Sequence, residues 1–120
     1  MNLRTLVLGA SLKANRYSNY AIQRLVANGH DVVAFGLIKG EVSGVHIDTE
    51  LVPYKELNTI TLYLNPKRQR DYYDYIVSLK PERVIFNPGT ENPELYHILK
   101  ENNIFFEAAC TLVLLSTNQY

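Results

Sequence analysis

The feature that most constrains this chain is a regular alternation of short apolar runs with segments of helical period, from one end to the other. Leu3 to Leu8 is a short apolar run closed by Gly9, the pattern of a strand buried on both faces. From Tyr17 to Asn28 the apolar positions Ala21, Ile22, Leu25 and Val26 recur at helical spacing, and Asn28-Gly29 supplies the stop. Asp31 to Phe35 predicts a second strand, and Thr59 to Leu64, rich in β-branched and aromatic residues, a third. Pro66 opens a helix whose inward face is Tyr72, Tyr73, Ile76 and Leu79, and Arg83 to Phe86 follows as a fourth strand. Asn92-Pro93 is a helix start, since Asn caps free amides and Pro suits the first turn; Leu95, Ile98 and Leu99 then face inward. Ile104 to Glu107 predicts a fifth strand, and Cys110 to Leu115 a closing helical turn or two. The stretch Leu37 to Lys55 has no sustained period and reads as a loop with at most a short hairpin, Glu41 to Ile47.

Strands joined through helices imply parallel pairing with both sheet faces covered. The expected fold is one α/β domain over residues 1–120, a Rossmann-like three-layer α/β/α arrangement. Its sheet is expected to hold five parallel strands in the order 2-1-3-4-5. A composition of 47% apolar and 20% charged residues supports such a packed domain over a disordered chain. Twelve basic against twelve acidic residues leave no global field, so neither nucleic acid nor an anionic membrane is an expected partner. The one cysteine, Cys110, excludes an intrachain disulfide. With no long apolar stretch and no signal-peptide pattern, the expected location is the cytoplasm.

In folds of this kind ligands sit at the carboxyl ends of the strands, so the loops found there are the ones to examine. The loop after the first strand is Gly9-Ala10-Ser11-Leu12-Lys13-Ala14-Asn15-Arg16-Tyr17-Ser18. Gly9 permits a tight turn, the next helix directs its free amides there, Lys13 and Arg16 add positive charge, and Ser11 and Ser18 add hydroxyls. Together they suit phosphate oxygens, although cations on such a loop commonly just project into water. The dinucleotide fingerprint is incomplete: only its first glycine is present, and Phe35-Gly36 stands where an acidic residue would hold a ribose. Lys39, a few residues on, suits a ribose that carries its own phosphate, as in coenzyme A or NADP.

Catalytic signals are sparse. His30, His46 and His97 lie in different elements with no metal-ligand spacing, and no nucleophile elbow or Walker loop occurs. Cys110 is the one candidate nucleophile, though a cysteine before an apolar run is commonly core filler. Glu91 and Glu94 flank the last loop, where carboxylates usually serve the helix dipole.

Four segments make the chain resemble the small stand-alone CoA-binding proteins, whose domain is similar to that of succinyl-CoA synthetase. They are Gly9-Ala10-Ser11-x-Lys13-x-x-Arg16-Tyr17-Ser18, Lys39-Gly40-x-x-x-Gly44, Asn87-Pro88-Gly89-Thr90-Glu91-Asn92-Pro93-Glu94-Leu95 and Cys110-Thr111-Leu112-Val113-Leu114-Leu115. The resemblance covers essentially the whole chain, with Phe35-Gly36-Leu37-Ile38 departing from the family's usual turn. It implies that Ala10, Ser11, Lys13, Arg16, Tyr17 and Ser18 hold the pyrophosphate of coenzyme A or an acyl-CoA. Lys39 would lie near the ribose phosphate, Asn65 and Pro66 would line the channel, and Gly89 would border the thiol end. The synthetase works through a histidine and a nucleotide-grasping domain that this chain lacks, so non-catalytic binding is the expected role. The competing expectations are a small enzyme acting on a CoA thioester or NADP-linked substrate through Cys110 or Glu91, and a pure interaction domain.

Overall fold

The structure, a computed structural model, describes residues 2–120. The first apolar run becomes β1 (Thr5–Ala10), the central strand. It pairs in parallel with β2 (Val32–Gly36) on one side and β5 (Thr59–Leu62) on the other. Beyond β5 come β6 (Arg83–Phe86) and β7 (Phe105–Ala108), again parallel. Three of these strands are reached through helical structure: α1 (Tyr17–Ala27) leads to β2, α2 (Pro66–Gln69) and α3 (Tyr73–Ser78) to β6, and α4 (Pro93–Glu101) to β7. The chain closes on α5 (Thr111–Ser116).

The sheet has seven strands rather than the expected five, in the order β3-β4-β2-β1-β5-β6-β7. The two additional strands are β3 (Gly40–Val42) and β4 (Val45–Asp48), the segment read from sequence as a loop with a short hairpin. They form a two-residue hairpin through Ser43 and Gly44, both at positive φ (50° and 81°), the geometry that matches strand twist. β4 also runs parallel to β2, with Ala34 opposite Ile47, while β3 is antiparallel to β4. Ile47 is fully buried against the α1 side of the sheet, and this anchor makes the hairpin part of the sheet. Strands of three and four residues are too short to show a period, so only the hairpin turn was legible.

Side-chain alternation along the strands sorts the core into two layers. Leu6, Leu8, Ile60, Leu62, Val84 and Phe86 meet Ile76 of α3, Leu79 at the C-cap of that helix, and Leu95 and Leu99 of α4. Val7, Ala34 and Ile47 meet Ile22 and Leu25 of α1 and Leu115 of α5. The helix expected to open at Pro66 is interrupted by a 3-10 turn, Arg70–Tyr72, where Tyr72 leaves helical geometry (φ −117°, ψ 5°). Asn92 caps α4 as expected, its Oδ1 accepting from Glu94 N–H (3.2 Å) and Leu95 N–H (3.4 Å).

His30 lies at the amino end of the sheet, opposite the loops that could bind a ligand. Its Nδ1 accepts from Leu3 N–H at 2.9 Å, and its ring packs 5.0 Å from that of Tyr120. Burial holds the imidazole below its ordinary pKa of 6.5, and the positive charge of Arg83 adds to this. The unfolded chain therefore takes up a proton at a higher pH than the fold does. This contribution to stability is complete above pH 6.5 and is lost as pH falls through the lowered folded value. The urea midpoint should fall between about pH 7.5 and about pH 5, and less steeply in His30→Gln, which has no imidazole to protonate. Identical pH slopes in the two proteins would contradict it.

Candidate binding cleft

At the carboxyl ends of β1, β2, β5 and β6 the loops enclose a cleft of about 480 Å³, within the range of small-molecule sites. Its floor depends on two glycines. Gly9 has φ 103°, and a Cβ there would sit 3.0 Å from both the Tyr63 carbonyl carbon and Leu64 Cδ2. At Gly36 a Cβ would run into the carbonyl oxygen of Ala10. Both glycines let backbone approach backbone where β1 meets its neighbours, and β1 shifts register between Leu8 and Ala10 to make the turn.

The loop after β1 is held from within. Lys13 N–H donates to Ser11 Oγ (3.1 Å), and the buried Asn19 donates Nδ2 to the Ser11 carbonyl (2.9 Å). Arg16 stands at the N-cap of α1 in extended geometry, and no side chain caps the helix. The first turn also carries no acidic residue. This differs from α2, where Asn65 accepts from Arg68 N–H, and from α4, where Asn92 caps and Glu94 occupies the first turn. Of these three helix starts, only that of α1 leaves its donors open toward the cleft. The start of a helix with free N–H groups carries partial positive charge and accommodates anions.

Of the residues expected from sequence, Gly9, Ala10, Ser11, Lys13, Arg16, Tyr17, Ser18, Asn65 and Gly89 all line the cleft. Lys39 and Pro66 do not. Lys39 is exposed on the segment between β2 and β3, and Pro66 occupies the first position of α2, shaping the chain rather than facing the cavity. Gly89 (φ 93°) has open space around it, and its N–H donates to Glu91 Oε1 at 2.7 Å. The Glu91 carboxylate is thus engaged by its own loop, and neither Glu91 nor Cys110 lines the cleft.

Sequence reasoning missed several lining residues. Phe35, Gly36, Leu37 and Ile38 form the β2 end; Leu37 and Ile38 are 68% and 67% exposed, an apolar rim at the mouth. Tyr63 and Tyr72 add aromatic wall, and burial raises the Tyr63 phenol well above its usual pKa, so it stays neutral. Arg68, three residues after the cap Asn65, is a third cation of the cleft. The signal for it was the Asn65-Pro66 helix start, which faces its first turn toward the same edge. Lys13, Arg16 and Arg68 line the cleft, and no Asp or Glu does so among the described residues.

The chain is thus an α/β domain with a parallel-dominated, seven-stranded sheet and a concave, cation-lined cleft at its carboxyl edge, the place where ligands sit in open α/β sheets. The chain matches the family model of the CoA binding domain over residues 4–116, and it belongs to that family. Its backbone is similar to a crystal structure of an uncharacterized protein: TM-score 0.97, 48% identity, covering 100% of this chain and 99% of the other. It is also similar in fold to a protein from Thermus thermophilus (TM-score 0.86, 23% identity, 98% and 90% covered). A hypothetical protein from Pyrococcus horikoshii OT3 is another likeness in fold (TM-score 0.83, 22% identity, 96% and 82% covered). No curated protein matches the chain. No helix among the described residues is long and apolar enough to cross a membrane, and no group of three or more His, Cys, Asp or Glu is placed to hold a metal ion.

Proposed function

We propose that this protein binds coenzyme A or an acyl-CoA in the cleft and performs no chemistry on it. Membership of the CoA binding domain family supports the ligand class. The observation that carries the placement is the open start of α1, uncapped and free of acidic residues, with Lys13 and Arg16 beside it. The pyrophosphate lies there, receiving the first-turn amides of α1 and the hydroxyls of Ser11 and Ser18, while Gly9 and Gly36 let the β1 turn close against its neighbouring strands. The apolar rim of Leu37 and Ile38 takes the base. Coenzyme A, when bound, supplies the thiol that carries an acyl group; the residues of this chain bind and orient it. Catalysis through Cys110 or Glu91 has no support in the geometry, since neither faces the cleft. Neither nucleic acid nor a membrane surface is part of this reading.

Lys39 and Pro66 are left out of the contact set. Lys39→Ala is expected to change CoA affinity by less than about threefold, as for a solvated charge, whereas a larger loss would return Lys39 to the ribose phosphate. The proposal is tested by native mass spectrometry of gently purified protein. A retained mass of CoA or acyl-CoA supports it, and failure to take up added CoA contradicts it.

A further inference from the structure

Two walls of the cleft, Leu64 and Asn65 after β5 and Gly89 and Thr90 after β6, belong to loops whose strands stop pairing at Leu62 and Phe86. Beyond that point each wall offers a main-chain carbonyl, that of Leu64 and that of Thr90, and two acceptors cannot bond each other. Gln69, fully buried at the end of α2, lies between them. Its Nε2 donates to both carbonyls, each at 2.8 Å, so a single amide gives one hydrogen to each wall.

The orientation of that amide is dictated by its neighbours. Asn92 Oδ1 is occupied as the cap of α4, accepting from Glu94 N–H and Leu95 N–H. Asn92 Nδ2 is therefore the group that meets Gln69 Oε1, at 2.9 Å, and it also donates to the Tyr73 hydroxyl at 2.8 Å. With Oε1 accepting from Asn92, Nε2 faces the two carbonyls. Thr90 is fixed to its own strand, its N–H (3.0 Å) and Oγ1 (2.8 Å) both donating to the Asn87 carbonyl. Each wall is thus rooted in its strand, and the buried amide sets the gap between them.

We propose that Gln69 is a positioning residue for the ligand: it never touches CoA, but CoA affinity depends on the wall separation that it fixes. This rests on the CoA reading above. The test is calorimetric titration of CoA against wild type and Gln69→Met, an apolar side chain of similar length, below both melting temperatures. Amide ¹H–¹⁵N shifts of each protein are followed with and without saturating CoA. Gln69→Met should bind CoA about tenfold more weakly, because preorganisation of one side of the cleft is lost. Wild type should show CoA-induced shifts at Gly89 and Thr90 as well as at Tyr17 and Ser18. In Gln69→Met those at Gly89 and Thr90 should shrink, while those at Tyr17 and Ser18 persist at saturation. Asn92→Ser is the milder second variant: it keeps a cap for α4, removes the donor to Gln69 Oε1, and should weaken CoA about threefold with the same split.

A lower melting temperature with unaltered CoA affinity in both variants overturns the proposal, since Gln69 would then serve packing alone. So does a loss of affinity in which the shifts at Tyr17 and Ser18 shrink equally, which would leave the CoA reading standing. If CoA does not bind wild type at all, the CoA reading itself fails, and this proposal with it.

Discussion

Replacing Lys13 and Arg16 together with alanine is expected to weaken CoA binding by roughly a hundredfold, about 3 kcal/mol. Each side chain contributes a charge-assisted contact worth about 1.5–3 kcal/mol when enclosed by ligand. Both are exposed in the free protein, so solvent and salt reduce that range, and because they serve one pyrophosphate their effects do not simply add. The loss should shrink as ionic strength rises, because part of the wild-type advantage is screened. Neither side chain forms an ion pair or side-chain hydrogen bond among the described residues, so the melting temperature should stay unchanged. Calorimetric titration at two salt concentrations checks both statements. Unaltered affinity in the double variant would remove the β1 loop from the binding site.

The largest effect on stability is expected at Asn87, which follows β6 and is 2% exposed. Its Nδ2 donates to Thr61 Oγ1 (2.7 Å) and to the Leu62 carbonyl (2.8 Å), and its Oδ1 accepts from Thr111 N–H (2.9 Å). Thr61 in turn shares a hydrogen bond with Thr111 Oγ1 at 2.8 Å. One side chain thereby joins β5, β6 and the start of α5 beneath the cleft. Asn87→Ala leaves several buried polar groups without partners, each costing about 1–3 kcal/mol, so a total near 3 kcal/mol and a drop in melting temperature of about 10 °C are expected. Asn87→Asp keeps the acceptor for Thr111 N–H but offers no donor to the Leu62 carbonyl, so it should also be markedly destabilised. Thermal unfolding of both variants tests this, and a loss under about 1 kcal/mol in Asn87→Ala would mean that water takes over the network.

The parallel part of the sheet was legible because its strands are continuous apolar runs separated by helix-period segments. Leu6, Leu8, Ile60, Leu62, Val84 and Phe86 all proved to be core. The hairpin was legible only as a short one, Glu41 to Ile47, and not as part of the sheet, since Gly40–Val42 and Val45–Asp48 each offer too few residues for a period, with Val42 and Ile47 as their buried positions. On the site, local chemistry on one loop was readable: Gly9, Ser11, Lys13, Arg16 and Ser18 are consecutive or nearly so, and all face the cleft. What depends on two distant segments meeting was invisible. The need for glycine at 36 comes from the Ala10 carbonyl twenty-six residues earlier, and Arg68 joins Lys13 and Arg16 only through strand order. Lys39 was the opposite case, a plausible cation whose neighbours Ile38 and Gly40 turn the chain into β3 and leave it in solvent.

The central claim is that the pyrophosphate of CoA is received at the open start of α1. It is tested most directly by following backbone amide ¹H–¹⁵N resonances while CoA is added to the labelled protein. The account predicts the largest shifts at Ser11, Lys13, Tyr17 and Ser18, with those of Leu37 and Ile38 moving next and those of β7 unmoved. Shifts gathered at the amino end of the sheet, around His30 and Tyr120, or saturating changes that leave Tyr17 and Ser18 untouched, would contradict it.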